Sequence, residues 1–97
     1  MHPEEVVMKI KNRIRVKTTK ADEEVTDLIE AAKMDMAKEG IYGDADNPLY
    51  FQAMVLYCKA YYGYDEKTEQ FQEAYKSLKN SMALSGDYTK EGMQNGD

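Results

Sequence analysis

A single cysteine, Cys58, and a single histidine, His2, leave this chain with almost none of the side chains that ligate metals or attack substrates. One cysteine cannot close an internal disulfide, and Cys58 sits inside an apolar stretch. It reads as a small core residue in a protein of the reducing cytosol. His2 stands at a terminus, and no Ser, His and Asp set, HExxH motif, phosphate-cradling glycine loop or cysteine pair accompanies it. No catalytic role, metal or cofactor is therefore expected. The many carboxylates read mainly as solvated helix faces. Asp44 and Asp46 resemble the opening of a calcium loop, but the sixth position lacks glycine and Val55 stands where the closing Glu belongs. Tryptophan is absent and only two Phe occur, against seven Met and eight Tyr. That mixture suits surfaces covered on assembly, since Met adapts its shape and Tyr joins an apolar ring to a polar tip.

Also missing is any strand-like alternation of apolar and polar residues, any internal repeat, and any apolar run long enough to cross a bilayer. His2, Pro3, Glu4 and Glu5 stand where a secretory segment would carry positive and apolar residues, so none is predicted. What the chain does carry is helical periodicity. Residues 3–16 read as a first helix, with Pro3 at its start, Glu4 and Glu5 in its first turn, and a stripe of Val6, Val7, Ile10 and Ile14. Lys9, Arg13 and Lys17 recur at four-residue spacing as a basic face, and residues 17–20 form a linker. A second helix opens at Asp22 with Glu23, Glu24 and Asp27, buries Val25, Leu28, Ile29, Ala32 and Met36, and stops at Gly40.

The third stretch, Asn47 to Tyr64, organises the others. Asn47 caps it, Pro48 takes the first helical position and Gly63 ends it. Only Gln52 and Lys59 are strongly polar, and they share one narrow stripe. A helix this apolar requires neighbours on several sides. It is too short, and too rich in Tyr, Gln and Lys, for a membrane span, and no membrane partner is expected. Phe71, Tyr75, Leu78 and Met82 mark a fourth helix ending at Ser85 and Gly86, with Glu69, Glu73, Lys76 and Lys79 outside. These features predict an all-α fold: a four-helix compact domain around a central apolar helix. Its organisation is a basic N-terminal helix and linker (1–20), possible as a projecting arm, a helical core (21–86) and a flexible C-terminal tail (87–97).

Charge is unevenly shared. The net charge is −5, yet residues 1–20 carry +4 and the remainder −9. The acidic body argues against a nucleic-acid grip, and the basic helix lacks aromatic residues for stacking and a turn coupling it to a second helix. Its complement is the acidic second helix, in its own subunit or in a neighbour.

Three segments carry a resemblance: ADEEVTDLIEAAKMDMAKEG (21–40), PLYFQAMVLYCKAYYGYD (48–65) and FQEAYKSLKNSMALSGDY (71–88). Together they resemble the small helical head-tail connector proteins of tailed bacteriophages and prophages, also described as DNA packaging proteins. The likeness spans Val16 to Tyr88 and contains no catalytic signature. It implies a homo-oligomeric ring, typically a dodecamer, that docks beneath the portal protein after packaging and extends the DNA conduit. Head-completion or tail proteins attach to it, DNA passes without sequence-specific binding, and the protein resides in the virion or, during assembly, in the bacterial cytoplasm. The ring needs a heterologous contact between subunits. The residues themselves suggest its faces: Lys9, Arg13 and Lys17 against Glu23, Glu24 and Asp27, with Tyr57 and Tyr61 as further interface candidates if they remain half open. The competing expectation is a small acidic helical adaptor or regulator that binds a host protein through its Met and Tyr surface.

Overall fold

The computed structural model describes residues 2–62 and 67–89. Four helices follow in order: α1 (Pro3–Ile14), α2 (Asp22–Lys38), α3 (Pro48–Tyr62) and α4 (Thr68–Ser85), with one 3-10 turn at Thr19–Ala21. No strand occurs among the described residues. Helix α3 contacts each of the other three, most extensively α2 and α4, while α1 lies against both α2 and α3. The thinnest dimension, 18 Å, is that of two helix layers.

Local chemistry explains three of the boundaries. At the head of α3, the Asn47 side-chain oxygen accepts the backbone N–H groups of Leu49 (3.0 Å) and Tyr50 (3.1 Å), and its carbonyl accepts that of Phe51 at 2.9 Å. Pro48 fills the first position, where its missing N–H costs nothing. The expected stop at Gly63 lies outside the described residues. Helix α2 closes with a Schellman turn: Gly40 adopts φ 77°, its N–H bonds the Ala37 carbonyl at 3.0 Å, and Ile41 N–H bonds the Met36 carbonyl at 2.9 Å. Ile41 and Met36 are both fully buried, which supplies the apolar contact this motif favours.

Helix α1 ends the same way, two residues before the expected Val16. Arg15 takes the left-handed position at φ 61°, and Val16 N–H bonds the Lys11 carbonyl at 2.9 Å. A non-glycine residue there costs on the order of 1 kcal/mol. The turn redirects Val16 towards the core, which it packs against.

The core unites all four helices. Ile10, Val25, Ala32, Met36, Ile41, Ala53 and Cys58 are fully buried, joined by Met54, Val55, Tyr50, Tyr75 and Met82. Each large side chain contributes roughly 1.5–3 kcal/mol of burial. Helix α1 is thus part of the domain and not a projecting arm, because Val6 and Ile10 enter the core. Gly43 lies so close to the Tyr50 ring that an added Cβ would stand 2.7 Å from Cδ2. Tyr88, within the stretch expected to be flexible, is buried; its carbonyl accepts Tyr42 N–H at 2.7 Å and its hydroxyl donates to Asn47 at 3.3 Å. Residues 90–97 of that stretch lie outside the described residues.

Candidate assembly surfaces

The polar side chains sort into a partly buried clamp and exposed charged faces. The clamp joins α2 to α4. Tyr75 donates its hydroxyl to Asp35 Oδ2 at 2.6 Å, and Lys79 Nζ reaches Asp35 at 2.9 Å and Glu39 at 2.7 Å. Burial opposes ionisation of Asp35, but the hydrogen bonds from Tyr75 and Lys79 and the Lys79 charge outweigh it and hold the carboxyl below its ordinary range. Burial likewise disfavours the Lys79 cation, and its bonds to Glu39 and Asp35 reverse the balance, raising it. Tyr75 is pushed well above a normal phenol by burial and by the adjacent Asp35. Both carboxylates are satisfied by a fixed ammonium, so the group reads as a fastener between helices.

A second fastener was not legible as one. Lys11 is buried and pairs with Asp22 at the start of α2. A cap was expected at Asp22 or an adjacent residue; Ala21 occupies the cap position without a side-chain bond, and the Asp22 carboxylate is used across helices. Lys11 follows Ile10 on the same stripe as Val7 and Ile14, which is the signal that could have placed it inward.

The proposed interface residues divide. Lys9 and Arg13 are exposed on α1, whereas Lys17 lies beyond the helix end, so the three do not share one helical face. Arg13 projects over the Phe51 ring, 5.6 Å from its centre. Glu23, Glu24 and Asp27 are exposed on α2. Glu23 and Asp27 continue through Glu30 to Met34, which is 66% exposed, along the side of α2 turned away from the core. Glu24 lies one residue further round. No ion pair among the described residues joins Lys9, Arg13 or Lys17 to these acids.

Tyr57 and Tyr61 are brought together, with ring centres 4.6 Å apart, and Tyr57 meets Tyr75 edge-on at 5.3 Å. Tyr57 is half-buried and Tyr61 is 50% exposed. They remain open on one side, beside the Asp35 clamp.

One group of four cations was not foreseen as a unit. Arg13 and Arg15 from the end of α1, Lys59 from α3 and Lys67 at the start of α4 line an open concavity of about 350 Å³ floored by Ile14 and Cys58. Tyr62 and Phe71 form its aromatic wall, and Lys59 Nζ stands 5.4 Å from the Phe71 ring centre. Burial pushes the Cys58 thiol up to about 12, which leaves it an inert side chain at neutral pH. Among the described residues, no group of three His, Cys, Asp or Glu is placed to hold a metal, and no helix is long and apolar enough to cross a membrane.

Fold and surface together define a small all-helical protein with exposed charged and aromatic faces. The family model for phage connector protein matches residues 6–89, and the chain belongs to that family. No curated protein and no solved structure matches the chain.

Proposed function

We propose that the chain is a head-tail connector subunit that forms a ring beneath the portal, extends the DNA conduit and offers head-completion or tail proteins their attachment. The family match over residues 6–89 carries this reading. The role is structural, without catalysis, and belongs to the virion and to the bacterial cytoplasm in which it assembles. The net charge of −5 supports a wall past which DNA slides, since a surface without excess Lys and Arg gains little from counterion release. Tyr61 and Met34, both half or more exposed, are side chains of the kind that assembly covers.

Capture by the cognate portal is the test. The purified chain, passed over immobilised portal, is expected to be retained, and size-exclusion chromatography with light scattering is expected to give a complex carrying several copies. A stable monomer or dimer that flows past the portal contradicts the proposal.

A further inference from the structure

Lys59 follows Tyr50 by nine residues, which places it about 180° round α3 from a ring that shares a concavity with Lys33, Met34 and Ala37 of α2. Its concavity is lined by α1, α3 and α4, with no α2 residue. The outer stripe of α2 begins with Glu23 and Asp27, opposite Val25, Ile29, Ala32 and Met36, which face inward, and continues through Glu30 and exposed Met34 at the rim shared with Met54 and Tyr50 of α3. A cationic groove and an acidic helix stripe therefore occupy opposite sides of one subunit. Opposite sides with complementary charge form a head-to-tail contact, the kind that closes into a ring when the rotation permits.

We infer that the groove around Lys59 receives the outer stripe of α2 from a second copy of this chain. This rests on the ring-forming role proposed above and names the contact within it. Glu23 and Asp27, one helical turn apart, meet Arg13, Arg15 and Lys59, while Met34, a further two turns along, packs on the aromatic edge of the neighbour. The assignment shifts the basic half of the interface from Lys9 and Lys17 to Lys59. A copy of the chain is favoured over a nucleic acid because the net charge of −5 opposes a long phosphate backbone more than it opposes a local acidic stripe.

Two charge-reversed chains test it. Arg13→Glu, Arg15→Glu and Lys59→Glu together give a chain with an acidic groove, since only Lys67 of its four cations remains, and Glu23→Lys with Asp27→Lys gives one with a basic stripe. Each, confirmed folded by circular dichroism and a cooperative melt, is expected to self-associate about tenfold more weakly than wild type, alone or on the portal. Mixed in equal amounts they are expected to recover assembly, because every groove then meets a stripe of opposite charge. Single variants that assemble like wild type, or a mixture that fails to recover while wild type assembles, overturn the inference and leave the connector role standing. Wild-type chain that stays monomeric both alone and with the portal overturns the ring-forming role itself. Retention on duplex DNA that is lost in the Arg13→Glu, Arg15→Glu, Lys59→Glu chain would assign the groove to phosphates and also overturn it.

Discussion

Replacing Asp35 by Ala removes the acceptor that both Tyr75 and Lys79 use in the clamp between α2 and α4. Tyr75 is only 5% exposed, so its hydroxyl loses its partner where water cannot readily replace it. A hydrogen bond to a charged group contributes about 1.5–3 kcal/mol when buried. The Asp35 side chain keeps 35% of its accessibility and Lys79 retains Glu39, so solvent screening places the combined cost near the lower end, about 2 kcal/mol. For a domain of this size that loss lowers Tm by roughly 8–16 °C. Tyr75→Phe removes one bond and leaves the ion pair, for about 1 kcal/mol. Because the folded protein holds the Asp35 carboxyl below its ordinary value of 3.8, its stabilisation is complete above that value and disappears as pH falls through the lower folded one. The gap between wild type and Asp35→Ala, measured by urea unfolding followed by circular dichroism, is expected to be full at pH 7 and to narrow below pH 3.8. A gap under about 0.5 kcal/mol at pH 7, or one that widens in acid, would refute the assignment.

Gly43→Ala is expected to destabilise by about 1–3 kcal/mol in the same assay, because its methyl group enters the buried Tyr50 ring. Asn47→Ala is expected to cost about 1–2 kcal/mol, losing the cap to Leu49 and Tyr50, and to expose Tyr88, read as increased proteolysis after residue 85. The Cys58 thiol, fully buried and raised to about 12, is expected to resist a thiol reagent at neutral pH until urea unfolds the chain.

The central helix was readable because both its head and its stripe are written locally: Asn47 and Pro48 mark the start, and only Gln52 and Lys59 interrupt the apolar surface. The inward set of α2 was readable for the same reason. Lys11 was not, because a lysine beside an apolar stripe is ordinarily solvated and only the position of Asp22, eleven residues on, makes its burial favourable. Lys79 escaped likewise: assigned to the outer face of α4, it finds two carboxylates on a helix some forty residues earlier. Arg15 carries no glycine to announce a left-handed turn. Tyr88 looked like part of a polar tail, and the contacts that bury it come from the loop before α3. The interface residues divided because four-residue spacing continues a face only while the helix continues, and α1 ends before Lys17.

Native mass spectrometry of the portal incubated with excess chain tests the central claim most directly. A complex in which bound copies match the portal subunits one for one is expected. Free portal beside free monomer, or one or two copies per portal ring, would contradict it.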